Sequence, residues 1–230
     1  MASGITAVTF DAGSTLLFPH PSVGAVYSEI MAGHGLELRP ALLETTFRDV
    51  WRQAVAGPRT VINPDADKQW WYDVVARVLQ RLNTSVPGYD ALFEDLWAAF
   101  AQPSRWRLHD QATTVLAELC ARGYRLAVLS NWDDRLPNLI EALGLSRYFE
   151  ALFVSCEVGA EKPDIRIFRH AQECFGLPAA QILHVGDSPV HDAEGACNAG
   201  WQYVLLGTTH GDQENGRVIA CLSELLPLLP

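Results

Sequence analysis

The sequence predicts an α/β fold: a doubly wound parallel sheet, interrupted early by an all-helical insertion. Three observations carry this. Short apolar runs recur after residue 105 and alternate with stretches of helical spacing. These runs, like the first one in the chain, stop at small or polar residues such as Asp11, Ser130-Asn131 and Gly186-Asp187. From about Pro19 to Pro103 no strand pattern shows, and the apolar spacing is helical.

The first run, residues 5–10, is partly β-branched and ends at Asp11, Gly13 and Ser14, which predicts a buried strand closed by a turn. Helices are predicted over 23–31, 41–55, 69–82 and 89–100. Between them lie the breakers Gly33 and Gly35, Gly57-Pro58, Asn63-Pro64 and Pro87-Gly88. After Pro103 come helix 110–122, strand 125–129, helix 133–143, strand 151–155, helix 164–175, strand 182–185, helix 189–199 and strand 201–206. A last helix is predicted at 216–226, with the apolar tail 225–230 packed on the core. Gly123, Gly144, Gly176 and Gly200 close the first four of these helices. The predicted organisation is a doubly wound, Rossmann-like core at 1–17 plus 105–230, and a helical module at 18–104.

Composition limits the function classes. The 230 residues are 49% hydrophobic and 19% charged, so a full core can be buried. Seventeen Lys plus Arg against 27 Asp plus Glu give a net charge of −10. Such a chain lacks the electrostatic footprint of a nucleic-acid binder or of an anionic membrane surface. No apolar run approaches the roughly 20 residues of a membrane span. The start MASGITAVTFDAGSTLL lacks the basic, apolar and small-residue order of a signal peptide, so a cytoplasmic protein is expected. Cys120, Cys156, Cys174, Cys197 and Cys221 are odd in number and lack CxxC spacing, which predicts reduced thiols.

Ligands of an open parallel sheet bind outside the carboxyl ends of its strands. This chain places Asp11, Gly13 and Thr15 after the first strand, Ser130 and Asn131 after the second, and Asp187, Ser188 and Asp192 after the fourth. Lys162-Pro163 precedes a helix between them. Lys162 is one of only two lysines, the other being Lys68. Carboxylates hold a hard cation, an ammonium and hydroxyls hold phosphate oxygens, and one carboxylate attacks. The set suits Mg²⁺-assisted displacement at phosphorus.

Four segments in order, Thr9-Phe10-Asp11 through Thr15-Leu16, Leu129-Ser130-Asn131, Lys162-Pro163-Asp164, and Val185-Gly186-Asp187-Ser188 with Asp192, Gly195 and Ala196, resemble the motifs of the haloacid dehalogenase (HAD) superfamily. The likeness is to the subfamily with a helical cap inserted after the first motif. The resemblance implies an HAD-like core, with Asp11 as a nucleophile forming an aspartyl-phosphate. Asp11, the Gly13 carbonyl, Asp187 and Asp192 would serve the Mg²⁺ site, with Asp192 orienting the metal's water shell or pairing with Lys162. Ser130, Asn131 and Lys162 would hold the phosphoryl group, and Thr15 would fix the first loop. The cap would close over the site and choose a small phosphorylated metabolite, in a monomer or homodimer.

The pattern breaks at Gly13, where phosphatases of the family carry a second Asp as acid and base. Glycine supplies neither, and such help is typically worth 10²–10⁴ in rate. Three readings follow. The chain is a Mg²⁺-dependent hydrolase with weakened or redirected chemistry, with His20 of the cap or water in place of the acid. Alternatively it is a weakly catalytic relative that binds a phosphorylated ligand or a protein. The third reading is a 2-haloacid dehalogenase, in which Asp187 would have little purpose. His184 reads as structural, and His191 falls near the active edge.

Overall fold

β1 (Ala7–Phe10) is buried at every residue, as a strand must be when sheet neighbours flank it and helices cover both its faces. The other strands in chain order are β2 (Leu17–Pro19), β3 (Trp106–Leu108), β4 (Arg125–Ser130), β5 (Ala151–Val154), β6 (Ile182–Gly186), β7 (Gln202–Leu206), β8 (Gly211–Gln213) and β9 (Gly216–Ile219). The computed structural model describes residues 4–57, 59–207, 211–213 (backbone only) and 216–229. Pro58 of one predicted breaker and Pro230 of the predicted tail lie outside them.

The main sheet runs in the order β5-β4-β1-β6-β7-β9-β8. All its pairings are parallel except that of β8 with β9. The chain winds outward from β1 through β4 to β5, then returns to β6 on the other side of β1. β1 therefore sits at the topological switch point, where carboxyl ends open onto a crevice. β2 and β3 form a separate ribbon of three-residue strands, too short to show a period in the sequence.

Two compact units divide the chain: Met1–Leu17 with Leu108–Pro230, and Phe18–Arg107. The second unit carries α1 (Val23–Gly33), α2 (Pro40–Val55), α3 (Pro64–Arg81) and α4 (Tyr89–Ala99). Ser22 and Asn63 cap α1 and α3 by accepting the N–H of Ala25 and Ala66. Inside, Phe47, Trp51 and Trp71 stack within 5.1–6.5 Å of one another. Trp70 meets Trp71 edge-on at 5.1 Å. Buried Asp67 pairs with Arg59, whose guanidinium lies 5.1 Å from the centre of Trp70. Arg48 and Arg52 make exposed pairs with Glu44 and Asp49 along α2.

The α/β unit adds α5 (Ala112–Ala121), α6 (Leu136–Ala142), α7 (Ser155–Val158), α8 (Ile165–Phe175) and α9 (Gly195–Asn198). On one side of the sheet Phe168 meets Trp201 edge-on at 5.3 Å. Gly195 lets α9 come close, since a Cβ there would stand 2.6 Å from the Phe168 ring.

Two predicted elements take other forms. Residues 216–226 are not one helix: Gly216–Ile219 is a strand parallel to β7, and Leu222–Leu228 is a 3₁₀ helix. Val218 and Ile219 favour the strand, and the Tyr203 ring lies so close to Gly216 that a Cβ would stand 2.4 Å from it. Pro227 cannot donate to an α-helical ladder. The predicted helix 189–199 opens as a wide π turn, Pro189–Glu194, before α9. No described helix is long and apolar enough to cross a membrane.

Gly24 of α1 touches the start of α2: a Cβ there would lie 2.3 Å from the Pro40 carbonyl oxygen and 2.5 Å from the Glu44 nitrogen. We predict that Gly24→Ala lowers the unfolding free energy by about 1–3 kcal/mol, the usual range for overpacking. Urea denaturation followed by tryptophan fluorescence checks it, and an unchanged midpoint would refute this packing account.

Candidate active site

Asp11 follows β1, and two donors converge on one of its oxygens. The Ser130 hydroxyl, from the end of β4, donates to Oδ1 at 2.7 Å. The Lys162 ammonium donates to the same oxygen at 2.8 Å. Lys162 is only 2% exposed, so its charge needs compensation within the fold. A second carboxylate supplies it, because Lys162 Nζ also donates to Asp192 Oδ1 at 2.6 Å. Burial alone would lower the Lys162 pKa, but the facing Asp11 and Asp192 charges outweigh that and raise it. Burial would likewise raise the Asp192 pKa, yet Lys162 and a bond from His184 hold it well below the ordinary carboxylate range.

Local backbone explains the convergence. The Asp192 amide and the Ala193 amide both donate to the Ser188 carbonyl, and the second of these bonds gives the π turn its width. The Asp192 side chain folds back so that Oδ2 accepts the Ser188 N–H at 2.8 Å. It also presses on Gly186, where a Cβ would stand 2.2 Å from the Asp192 carboxyl carbon. A residue with any side chain at 186 would displace that carboxylate.

Asp187 completes an acidic group. Asp11, Asp187 and Asp192 each offer a carboxylate oxygen, all within 4.8 Å of one another. Asp187 lines a cleft: its side chain reaches solvent, yet enough protein surrounds it that desolvation, and then the Asp11 and Asp192 charges, push its pKa up to about 7. Three carboxylates against one ammonium leave negative charge unbalanced. Such a set of hard oxygens suits a divalent cation such as Mg²⁺. Asp192 already spends both its oxygens on protein donors, so Asp11 and Asp187 are the better placed to hold an ion directly.

Asn131 reciprocally bonds the Lys162 backbone: its Nδ2 donates to the Lys162 carbonyl at 2.8 Å, and its Oδ1 accepts the Lys162 N–H at 2.7 Å. Its Oδ1 and one of its two Nδ2 hydrogens are thus spent on Lys162. Thr15 is fully buried, but its Oγ1 makes no hydrogen bond, so its hydroxyl does not fix the first loop. Backbone bonds do so, from the Leu16 and Leu17 amides to the Ala12 carbonyl and from the Ser14 amide to the Leu17 carbonyl. His20 is exposed and belongs to the helical unit, where its amide donates to the Arg105 carbonyl. His191 is half-buried on the π turn. Burial first, and then the Lys162 charge, lower its pKa.

Gly13 has a neighbour that sequence spacing does not reveal. A Cβ at this position would lie 3.3 Å from Trp132 Cζ3. The Trp132 peptide is anchored by buried Ser155, whose hydroxyl accepts its N–H and donates to its carbonyl, both at 3.0 Å. An indole thus borders the place where a carboxylate acid would begin.

A family model described as haloacid dehalogenase-like hydrolase matches residues 5–200. Human haloacid dehalogenase-like hydrolase domain-containing protein 3 is 31% identical over 235 residues, covering 98% of this chain and 94% of its own. Phosphoserine phosphatase of Thermus thermophilus is 40% identical over 111 residues, 47% of this chain and 44% of its own. Among solved structures, a magnesium-bound HAD-hydrolase from Bacillus subtilis has TM-score 0.79 at 19% identity, covering 98% of this chain and 99% of its own. A dehalogenase structure has TM-score 0.73 at 22% identity, covering 100% and 99%. At these identities the two structures speak for the fold alone.

The buried Lys162 pairs imply a stability test. A carboxyl held below its unfolded pKa of about 4 stabilises the fold fully above that value, and the contribution is lost as pH falls through the folded pKa. Lys162→Met leaves Asp11 and Asp192 without their cation. We predict a loss of about 3–5 kcal/mol at pH 7 in EDTA, and a shallower fall in stability as pH drops below about 4. Urea titrations across pH check both, and equal stability of the two proteins at pH 7 would refute the account.

Proposed function

The chain belongs to the haloacid dehalogenase-like hydrolases, and from that membership we propose that it hydrolyses a small phosphorylated metabolite through an aspartyl-phosphate at Asp11. The observation that carries the reading is the convergence of the Ser130 hydroxyl and the Lys162 ammonium on one Asp11 oxygen, beside two further carboxylates.

In this reading a carboxylate oxygen of Asp11 attacks phosphorus, the bond to the leaving oxygen breaks, and the electron pair departs with that oxygen. Ser130 and Lys162 fix the carboxylate plane; Lys162 keeps a third N–H for the phosphoryl oxygens, and Ser130 donates to them by turning its one O–H away from Asp11. Asn131 keeps Lys162 in place through the Lys162 backbone. Asp11 and Asp187 would hold Mg²⁺, which when bound offsets the charge of the phosphoryl group. Water then attacks the aspartyl-phosphate at phosphorus and releases phosphate, restoring Asp11.

Protonation of the leaving group is the weak step. Gly13 offers no acid, and Trp132 borders that side. Substrates whose leaving oxygen is stable as an anion, such as acyl or aryl phosphates, are therefore favoured over alkyl phosphates. The choice of metabolite is assigned to the helical unit, which the chain inserts directly after the Asp11 loop. The same Gly13–Trp132 contact favours a second reading, a phospho-ligand-binding relative with little turnover. The dehalogenase reading gains no such observation, because Asp187 stands within the acidic group.

The test is hydrolysis of p-nitrophenyl phosphate and acetyl phosphate, with Mg²⁺ and with EDTA. The wild type is expected to turn both over only with metal, and Asp11→Asn to fall to background. On an added alkyl phosphate, glycerol 2-phosphate, Gly13→Asp is expected to gain by up to about 10²–10⁴, the range for general acid–base help. A silent wild type with an active Gly13→Asp would favour the binding reading.

Asp187 sets a pH dependence. Mg²⁺ displaces its proton below about pH 7, so the apparent affinity should rise about tenfold per pH unit up to that value and level off above it. Calorimetric Mg²⁺ titration from pH 5.5 to 8.5 checks this, and a flat profile would remove Asp187 from the metal site.

A further inference from the structure

His184 occupies the middle of β6, fully buried, where the strand pattern calls for an apolar residue. A buried imidazole costs desolvation unless both nitrogens are bonded. Here both are. Nε2 lies 2.8 Å from Asp192 Oδ1, and Nδ1 lies 2.8 Å from the Thr9 hydroxyl of β1. The Phe168 ring meets the imidazole edge-on at 5.7 Å, which further restricts its rotation.

The proton positions follow from the partners. Ionised Asp192 only accepts, so Nε2 carries the hydrogen and donates to it. Burial holds the His184 pKa below its ordinary value, so the ring is neutral and Nδ1 accepts from Thr9. Thr9 is fully buried, and its shorter contact is with Nδ1 rather than with the Leu183 carbonyl at 3.4 Å. The sequence Thr9, His184, Asp192, Lys162, Asp11 is therefore continuous, each link between 2.6 and 2.8 Å.

We infer that His184 is a positioning residue for Lys162. It fixes the Asp192 oxygen that, together with Asp11, holds the ammonium in place. Asp192 Oδ2 is tied to the Ser188 amide on the π turn, whereas His184 and Thr9 tie Oδ1 to the two central strands. Lys162 is thereby referenced to the rigid sheet. The inference rests on the reading that Lys162 and Asp11 handle a phosphoryl group, but its test does not require turnover.

The chain has two lysines, Lys68 in the helical unit and Lys162. In protein labelled with ¹⁵N-lysine, the buried Lys162 ammonium gives its own signal, identified by its absence in Lys162→Met. His184→Leu is expected to shift or broaden that signal. It should also lower kcat/KM on p-nitrophenyl phosphate about 10- to 100-fold, the usual cost of losing a supporting bond behind a site. His184→Gln, whose amide can donate to Asp192, is expected to recover most of both. Thr9→Val, which removes the donor to Nδ1, should weaken the signal in the same direction. A folded His184→Leu with an unchanged Lys162 signal overturns the inference. Where His184→Leu does not fold, an unchanged signal in Thr9→Val overturns it instead. A wild type without turnover whose Lys162 signal still responds to His184→Leu would sink the hydrolase reading and leave this one standing.

Discussion

A buried ammonium between two carboxylates is the interaction on which the rest of the α/β unit depends. Lys162 is almost wholly enclosed, so its charge is tolerable only where Asp11 and Asp192 meet it. That requirement reaches across the sheet. Asp11 follows the central strand, Asp192 rides on the turn after β6, and Lys162 comes from the loop before α8. Three chain segments far apart in sequence must therefore arrive together. The reciprocal bonds between Asn131 and the Lys162 backbone add a fourth. Function and fold share the same atoms here, because the groups proposed to handle phosphate are also the ones that make this buried charge tolerable.

Much of this was readable from residue order. Asp11, Ser130 and Asp187 stand at the ends of apolar runs, and a parallel sheet carries such ends to one edge. Other features left no periodic trace. Gly216–Ile219 joined the sheet although its spacing suited a helix, since pairing beside β7 and the Tyr203 ring over Gly216 decided the outcome. The meeting of Gly13 with Trp132 joins positions far apart in sequence and depends on how Ser155 anchors one peptide. His184 looked like an ordinary core residue because its partners, Thr9 and Asp192, show only when strands are placed side by side. Thr15 went the other way: its place in the motif suggested a fixing bond that its hydroxyl does not make.

The neighbourhood of Gly13 combines a missing function with a filled space. The missing carboxylate removes an acid, and the indole makes that side of the loop apolar. Water near an apolar wall is poorly activated, whereas the Ser130 and Lys162 side offers strong donors to an anion. Under the proposed reading the site is thus asymmetric, strong in capturing a phosphoryl group and weak in completing the exchange.

The π turn at Pro189–Glu194 carries one further meaning, for chain length. Asp192 lies on this turn with its carboxylate back against Gly186 and on Lys162. An ordinary helical turn holds about 3.6 residues, so removing one residue would rotate every later side chain by about 100°. Asp192 would then leave its partners even though no functional residue had been replaced. The count of residues between Asp187 and Asp192 is therefore as much a part of the site as their identities. Insertions and deletions that surface loops absorb would be selected against at this one place.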